Sequence, residues 1–169
     1  MLIRPATPED FAQIWPIVRA IVAAGEVYAL PRTLDAAAAR AYWMDAPRRV
    51  FVAELDGHVV GSYYLRTNQA GGGEHVCNCG YAVAEAARGQ GVAGAMCVHS
   101  QQVARELGYL AMQFNFVVAS NVGAVRLWTA QGFETVGRLP RAFRHPSLGL
   151  VDALVMYKWL GDVKQEDAR

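Results

Sequence analysis

The stretch of sequence that decides the fold is Tyr81-Ala82-Val83-Ala84-Glu85-Ala86-Ala87-Arg88-Gly89-Gln90-Gly91-Val92-Ala93-Gly94. An apolar segment typical of a β-strand ends at Val83, a loop of small residues follows, and a helical pattern begins near Gly91. Gly89, Gly91 and Gly94 remove side chains where a ligand would have to approach backbone N–H groups. The first turn of a helix also presents unpaired N–H donors and the positive end of the helix dipole. Strand, loop and helix start together predict a phosphate-binding cradle.

Two common phosphate-binding loops do not match this stretch. No Gly-Lys-Ser or Gly-Lys-Thr closes it, so it is not a Walker loop. A dinucleotide-binding fingerprint also fits poorly, because the chain does not open on the glycines and no acidic residue ends a second strand about 20 residues later. For the glycines taken alone, a plain strand-to-helix turn without a ligand stays the alternative.

Length and composition favour a single folded domain. The chain has 169 residues, of which 53% are hydrophobic and 18% charged, enough apolar material for one substantial core. The net charge of +1 argues against a nucleic-acid partner. No apolar run reaches membrane-spanning length, and the first residues lack the layout of a signal peptide. We expect one domain over residues 1–160 and a polar tail over 161–169.

Cysteine usage bears on compartment and metal binding. The chain has three cysteines, Cys77, Cys79 and Cys97, and this odd number fits reduced thiols. No further Cys or His accompanies them with metal-ligand spacing, so they are expected to pack in the core. The sequence therefore predicts a cytoplasmic protein with no metal, no nucleic acid and no membrane partner, and it leaves a homodimer open.

Hydrophobic periodicity predicts the order β, two helices, a β-meander, helix, β, helix, β, β. Strands are expected at 2–6, 49–55, 59–66, 75–83, 110–118, 133–139 and 150–159. Helices are expected to begin at Thr7 and end at Gly25, to cover 34–44 and 91–107, and to run from a cap at Ser120 or Asn121 to Gln131. The segment 26–31, which contains Tyr28, is expected to cover a pocket, with packing against the core as the alternative. The segment 140–146 is expected to be a long loop.

Two sequence blocks carry a resemblance to a known family. Arg88-x-x-Gly91-x-Ala93 resembles the Q/R-x-x-G-x-G/A signature of the GNAT N-acetyltransferases, in which this loop holds the pyrophosphate of acetyl-CoA. Asn121-x-x-Ala124-x-x-Leu127-Trp128-x-x-x-Gly132-Phe133 resembles the family pattern N-x-x-A-x-x-L-Y-x-x-x-G-F. The resemblance covers nearly the whole chain. It implies an α+β, GNAT-like acyl-CoA N-acyltransferase fold with a mixed central β-sheet flanked by helices, and acetyl-CoA as cosubstrate.

The resemblance also implies which residues bind acetyl-CoA, from the strand end, the glycine loop and the later helix. They are Tyr81, Ala82, Val83, Arg88, Gly89, Gln90, Gly91, Val92, Ala93, Gly94, Asn121 and Trp128. Asn121 is expected to be a helix N-cap as well. Trp128 stands where many family members have a tyrosine that protonates the departing thiolate, and an indole is not a practical general acid. Trp128 is therefore expected to pack or shape the pocket. The proton for the departing thiolate would then come from water, from the amine itself, or from Tyr81 or Tyr157.

The runs Cys77-Asn78-Cys79-Gly80-Tyr81 and Phe114-Asn115-Phe116-Val117, together with Trp128, are most similar to the fungal proline-analogue N-acetyltransferases. Those enzymes acetylate azetidine-2-carboxylate and related cyclic imino acids. The resemblance implies that Asn78 contacts the substrate nitrogen and that Asn115 lies beside the thioester, with Phe116 near the substrate carboxylate. Asn78 and Asn115 are thus the candidate catalytic residues. The candidate substrate-binding residues are Asn78, Asn115, Phe116 and Tyr28.

Strand alternation sets conditions on these assignments. Asn115 is expected to point away from both neighbouring phenylalanine rings, and a buried amide there needs a partner or a ligand. A core asparagine bonded to nearby backbone is the alternative. Asn78 and Tyr81 differ in parity, so they line one pocket only if the strand bulges or opens between them. Donors for the developing oxyanion are expected from the backbone of the strand that ends at Val83 and from the Asn115 amide.

The expected reaction is direct acetyl transfer to the amine of a small amino or imino acid in a ternary complex, without a covalent cysteine. No side-chain base stands out. Glu26, Glu74, His75 and His145 are candidates, each also typical of a surface position. Two alternatives stay open: another acceptor, such as a polyamine, an antibiotic amine or a peptide N-terminus, or an acyl-CoA-binding module without turnover.

Overall fold

The structure is a computed structural model and describes residues 1–161. The predicted tail over 161–169 therefore lies outside the described residues except for Gly161. Within residues 1–161 the strands are β1 (Leu2–Pro5), β2 (Arg49–Leu55), β3 (His58–Thr67), β4 (Val76–Val83), β5 (Ala111–Val118), β6 (Glu134–His145) and β7 (Gly149–Trp159). The helices are α1 (Phe11–Ala24), α2 (Ala36–Met44), α3 (Val92–Glu106) and α4 (Val122–Ala130). This is the predicted element order.

The seven strands form one sheet in the order β1-β2-β3-β4-β5-β7-β6. The β4–β5 pair is parallel and every other neighbouring pair is antiparallel, so the sheet is mixed and the α+β prediction is confirmed. One apolar core packs α1 and α2 on one face, around Ile14, Val18 and Trp43. The other packs α3 and α4 on the opposite face, around Met96 and Trp128. No helix of residues 1–161 has both the length and the apolar character to cross a membrane.

Helix ends follow the local signals in the sequence. Gly25 ends α1 with a φ of +70°, a left-handed conformation that favours glycine. Asp35 caps α2 by accepting a hydrogen bond from the Ala38 N–H, at 2.8 Å. Asn121 caps α4 in the same way, with its Oδ1 3.2 Å from the Ala124 nitrogen. The predicted N-cap role of Asn121 is therefore confirmed.

The prediction of a long loop over 140–146 is wrong. β6 continues to His145, where it pairs with Gly149 of β7, and a β-bulge lies between Leu139 and Phe143. Because β6 is the edge strand of the sheet, Pro140 can lie within it although it has no N–H to donate. A side chain of β7 stabilises the bulge, because the Arg141 N–H donates a hydrogen bond to Asp152 Oδ1 at 2.9 Å. An edge strand that contains proline and several basic residues has the composition of a loop, and this is why the sequence predicted one.

One irregularity of the sheet positions the site. β4 and β5 pair only through Val76 with Ala111 and Cys77 with Met112, and beyond Cys77 the register between them ends. β5 also carries a bulge between Phe114 and Val117 where it pairs with β7. A bulge bends its strand, so β5 leaves β4 as both strands run toward their carboxyl ends. The separation creates a gap in the middle of the sheet.

Candidate functional site

A cleft of about 270 Å³ opens where β4 and β5 separate. Tyr28, Tyr42 and Tyr64 line it and belong to the α1–α2 face of the sheet. Phe114 and Trp128 also line it and belong to the α3–α4 face. The cleft thus passes through the sheet, and a ligand entering from either face can reach the same interior.

The structure brings many of the predicted site residues together in this cleft. Its lining includes Tyr28, Asn78, Tyr81, Asn115, Phe116, Asn121 and Trp128. The other predicted cofactor-binding residues lie beyond the cleft, at the end of β4 and in the segment leading into α3. Asn78 and Tyr81 share the pocket despite their different parity. β4 pairs with β3 without a bulge over 77–83, so the separation of β4 from β5 is what lets both line it.

The backbone of β4 offers free hydrogen-bonding groups to the cleft. In an antiparallel pair, alternate residues turn both the N–H and the C=O to the partner strand. Val76 C=O and Ala84 N–H both bond to the β3 side, so the residues of the other parity, Cys79, Tyr81 and Val83, face the gap. The Tyr81 carbonyl already accepts a hydrogen bond from the Tyr28 hydroxyl at 2.8 Å. The N–H groups of this edge are therefore the donors that the cleft presents.

Ala82 differs from its two neighbours. Its parity turns its backbone groups toward Ser62 of β3. Its side chain is 2% exposed and packs in the α1–α2 core. Ala82 therefore has no group that faces the gap, although the resemblance assigned it to the cofactor.

The glycine loop has the open geometry that a diphosphate requires. Gly89 and Gly91 have φ values of +77° and +79°, and a Cβ on either would meet no atom within 4 Å. Gly91 is the N-cap of the 15-residue helix α3, whose first N–H groups lack intrahelical partners. Arg88 and Gln90 are exposed beside it. Backbone donors, helix dipole and an arginine fit the pyrophosphate of a coenzyme A thioester.

Gly94 lies in the first turn of α3 and faces α4. A Cβ there would lie 3.6 Å from Leu127 Cδ1, which is an ordinary van der Waals distance, so the helix packing would accept an alanine at this position. On this side of the cleft, α4 contributes Ala124 and Trp128 to the lining, and Gly94 itself does not line it.

The two candidate catalytic asparagines are held in place by hydrogen bonds. Asn78 donates from Nδ2 to the Gln113 carbonyl at 3.0 Å, across the point where the strands part. Asn115 accepts from Gln113 Nε2 at 2.8 Å and donates to Asn68 Oδ1 at 2.7 Å. The Asn115 amide is thus fixed by side chains, whereas the alternative considered above was bonding to neighbouring backbone. Phe116 packs on Phe143 of β6, with ring centroids 6.2 Å apart.

Aromatic rings form the wall on the α3–α4 side. The Trp128 ring centroid lies 4.9 Å from that of Tyr81 and 5.1 Å from that of Phe114. Trp128 is 8% exposed, so it both packs and shapes the cleft. The Tyr81 hydroxyl is engaged with Ser100 Oγ at 2.7 Å, and Tyr157 does not line the cleft. Neither tyrosine is a ready replacement for the family's proton donor.

Titratable groups in the cleft, and Cys77 beside it, stay protonated near neutral pH. Burial raises the pKa of Cys77 to about 12 and that of Cys79 well above its usual range. Burial also raises the pKa of Tyr28, Tyr64 and Tyr81 well above that of a free phenol. Thiols and phenols of this kind are neither nucleophiles nor bases at pH 7.

None of the predicted candidate bases lines the cleft. Glu26, Glu74 and His75 are exposed, and His145 is half-buried at the far end of β6. Among residues 1–161 no group of three His, Cys, Asp or Glu side chains could hold a metal ion. The absence of a metal cofactor stays a prediction.

Sequence reasoning missed several residues of the site. Tyr42, Tyr64 and Arg66 line the cleft, and Gln113 and Asn68 hold Asn115. Tyr64 and Arg66 have the same parity on a strand that was predicted, so alternation placed them on one face. The register of β3 against β4, which puts that face beside Asn78, has no local signal in the sequence.

Comparison with known proteins gives a consistent result. A family model described as the acetyltransferase (GNAT) family matches residues 15–133. Among curated proteins, the N-acetyltransferase aca1 of Schizosaccharomyces pombe is 30% identical over 98 residues, which are 57% of this chain and 47% of that protein. The match thus spans about half the length of this curated relative.

Solved structures resemble the chain over almost its full length. A GCN5-related N-acetyltransferase from Kribbella flavida is 40% identical, with a TM-score of 0.89 over 94% of this chain and 96% of the other. A GNAT superfamily phosphinothricin acetyltransferase from Sinorhizobium meliloti, solved in complex with acetyl-CoA, has a TM-score of 0.84 at 21% identity. That match covers 99% of this chain and 92% of the other, and at this identity it concerns the fold.

Proposed function

The chain belongs to the GNAT family of N-acetyltransferases, and from that premise we propose that it moves an acetyl group from acetyl-CoA to the amine of a small amino or imino acid. The acceptor class is that of the proline analogues, as the resemblance of Asn78, Asn115 and Trp128 implies. Transfer is direct, within a ternary complex of protein, acetyl-CoA and acceptor.

The observation that carries the proposal is the cleft that passes through the sheet. On the α3–α4 side it lies beside the glycine cradle at the start of α3, which suits the coenzyme. On the α1–α2 side it is enclosed by Tyr28, Tyr42 and Tyr64, which suits a small acceptor. Two ligands that enter from opposite faces meet between β4 and β5, and this arrangement supports direct transfer.

Acetyl-CoA supplies the acetyl group as a thioester. The cradle residues Arg88 to Gly91 would hold its pyrophosphate, and Asn121 and Trp128 would border its pantetheine arm. The N–H groups of Cys79, Tyr81 and Val83 face the gap and can donate to negative charge on a carbonyl oxygen there. Preorganised donors of this kind are worth about 3 kcal/mol each in comparable enzymes.

On the acceptor side, Asn78 orients the nitrogen. Its Nδ2 is engaged with Gln113, so its Oδ1 is the group that can accept a hydrogen bond from an acceptor amine. In the transfer, the amine nitrogen forms a bond to the acetyl carbon, the carbon–sulfur bond breaks, the nitrogen gives up a proton, and coenzyme A leaves as a thiolate that takes up a proton. Since no carboxylate or imidazole of residues 1–161 lines the cleft, water accepts the proton from the amine and supplies the one that the thiolate takes up.

Direct transfer also follows from the state of the cysteines. Cys79 lines the cleft, but burial raises its pKa well above the usual value and leaves it a thiol. A thiolate, and not a thiol, attacks a thioester. An acetyl-cysteine intermediate is therefore not part of the proposal.

Two further elements of the proposal rest on the sequence. We propose a cytoplasmic location, since all three cysteines are unpaired. The proposed partners are the coenzyme and a small-molecule amine, with no nucleic acid or membrane, and a homodimer is compatible with the fold.

The test is thiol release from acetyl-CoA by the purified protein, with and without L-azetidine-2-carboxylate or cis-4-hydroxyproline. Release that saturates with the imino acid, together with the N-acetylated product by mass spectrometry, is the expected result. A polyamine, an aminoglycoside and a peptide with a free N-terminus serve as competing acceptors. Faster thiol release with one of these amines would show that the acceptor belongs to that class and not to the proline analogues. Binding of acetyl-CoA without release on any amine would favour a non-catalytic module.

A further inference from the structure

Arg66 lines the cleft and has no role in the proposed reaction as described so far. It lies near the end of β3, directly opposite Asn78 of β4. Val76 and Ala84 both hydrogen-bond to the backbone of the β3 side. Asn78 is an even number of residues from each of them, so Asn78 and Arg66 are also a hydrogen-bonded pair of residues. Directly opposed side chains have Cβ atoms about 5.5 Å apart on one face of the sheet. Arg66 and Asn78 therefore line the cleft as neighbours.

Arg66 is half-buried, and its guanidinium makes no ion pair within residues 1–161. Its Nε is buried and makes no hydrogen bond to any group of residues 1–161. The ion pairs of the same residues join Arg4 to Asp10 and Glu54, and Arg138 to Asp152. A buried N–H without an acceptor is unfavourable, and more so when the group is charged. An anion that draws the guanidinium toward the cleft would relieve this cost.

The charge of the cleft is one-sided. Among the residues that line it within 1–161, Arg66 is the charged one, and no carboxylate is present. Arg48 adds a second cation behind the wall, with its Cζ 5.0 Å from the Tyr42 ring centre and 5.3 Å from that of Tyr64. Burial raises the pKa of the Tyr64 phenol, and the charges of Arg66 and Arg48 both oppose that rise, so both cations lie close to this ring. The cleft favours an anionic acceptor over a cationic one.

Resting on the proposed function, we propose that Arg66 binds the α-carboxylate of the acceptor while Asn78 Oδ1 accepts a hydrogen bond from its nitrogen. In an α-amino or α-imino acid the nitrogen is one carbon away from the carboxylate, so neighbouring side chains on one sheet face can hold both groups. The planar guanidinium matches a carboxylate with two parallel N–H···O bonds. The resemblance had put the carboxylate near Phe116 of β5, whereas Arg66 lies on β3, on the other side of the gap between β4 and β5.

The proposal makes the free carboxylate a condition for turnover. Amines without one leave the buried Nε of Arg66 without an acceptor, and polyamines add like charge beside the guanidinium. A site built around a polar group discriminates strongly against an analogue that lacks the partner. Arg66 is thus a specificity-determining residue, and its removal affects acids and leaves neutral amines almost untouched.

The test compares acceptor pairs that differ only in this charge. L-Azetidine-2-carboxylate and its carboxamide, and the twenty amino acids, L-proline included, with their amides, are assayed with wild-type protein, Arg66→Gln and Arg66→Lys. We expect wild-type kcat/KM to favour the acid by about 10²-fold and Arg66→Gln to remove that preference by slowing the acid alone. Arg66→Lys keeps the charge without the planar fork and is expected to lie between them. Arg19→Gln on the exposed face of α1 is the matched control and is expected to match wild type.

Fold and coenzyme binding are checked first, by the thermal midpoint and the acetyl-CoA Kd of each variant. Equal loss for acid and amide in Arg66→Gln would overturn the proposal, as would equal use of acid and amide by wild type. If the amines without a carboxylate are acetylated best, the proposed acetyltransferase activity is supported and the proposed carboxylate-binding role of Arg66 is wrong. If no acceptor gives thiol release, calorimetric binding of each acid and amide to the CoA-saturated protein decides. An acid preference that Arg66→Gln abolishes supports the site, and no such preference across the panel removes it.

Discussion

A Cβ atom on Gly80 would lie 2.6 Å from Cε1 of Tyr64, so the tyrosine ring rests directly on the glycine backbone. The two residues face each other across β3 and β4. The Tyr64 hydroxyl lies 3.2 Å from that of Tyr42, and the ring meets Trp43 edge-on at 5.1 Å. The position of the ring, and with it one wall of the acceptor side, therefore depends on the absence of a side chain at residue 80.

Gly80→Ala is expected to displace the Tyr64 ring. Overpacking of this kind costs about 1–3 kcal/mol of unfolding free energy, and the displaced ring raises the acceptor KM while the acetyl-CoA Kd stays the same. In a Tyr64→Leu background the same alanine should cost little, because the clash is gone. Urea unfolding of the four proteins in this cycle measures the coupling. Gly72→Ala, where a Cβ meets no atom within 4 Å, is the control, and additive effects at 64 and 80 would refute the clash.

Gly91→Val is expected to weaken acetyl-CoA binding by at least about tenfold, because its side chain would fill the space in which the cradle N–H groups meet a phosphate. Valine at a φ of +79° also introduces strain, which needs a matched control. Gly108 has a φ of +85° with no atom within 4 Å of a Cβ, and it lies past the other end of α3. Calorimetry should show weak binding for Gly91→Val alone. Equal losses at both positions would assign the effect to backbone strain.

Asn115→Ala is expected to lower kcat by about 10²-fold with little change in the acetyl-CoA Kd, if its amide acts on developing charge. Asn68→Ala is the control, because it removes the 2.7 Å hydrogen bond from the other partner and Asn68 does not line the cleft. Steady-state kinetics and calorimetry on both variants separate the roles. Equal losses of kcat in the two variants would make Asn115 a positioning residue, and parallel losses of kcat and affinity would make it structural.

Cys79→Ser is expected to keep kcat within about threefold of wild type, because the raised pKa leaves Cys79 without a thiolate at neutral pH. The hydroxyl is harder to bury than a thiol, so the variant is expected to lose about 1–3 kcal/mol of stability. Cys77→Ser, which is also fully buried but does not line the cleft, controls for that loss. A folded Cys79→Ser protein with no turnover would contradict direct transfer.

Much of the fold could be predicted because its signals are local. The cap at Asn121, the turn glycine at 25 and the glycine loop before α3 each act within a few residues, and the structure has all three. The edge strand β6 was misread for the same reason. Pro140 and its basic neighbours indicate a loop locally, and only the hairpin with β7 makes them a strand.

The site was harder to predict because it forms where two strands that are distant in the sequence stop pairing. β4 and β5 part after Cys77, and no residue near Cys77 signals this, since the bulge that bends β5 lies on its far side against β7. Arg66 illustrates the second difficulty. Alternation places it on the face of Tyr64, but its place beside Asn78 depends on a register that pairs two separate strands.

The pH dependence of kcat/KM for the acceptor is expected to follow the acceptor and not the protein. Burial raises the pKa of the Tyr28 and Tyr64 phenols, so both groups stay protonated between about pH 6 and pH 9 and cannot take a proton there. No histidine or carboxylate lines the cleft within residues 1–161. The fraction of acceptor present as free amine then sets the rate, and log kcat/KM rises by about one per pH unit until the pKa of the amine. Two ring acceptors of different basicity, L-azetidine-2-carboxylate and the less basic L-thiazolidine-4-carboxylate, should level off at different pH values. A single inflection shared by both acceptors would instead reveal a base on the protein.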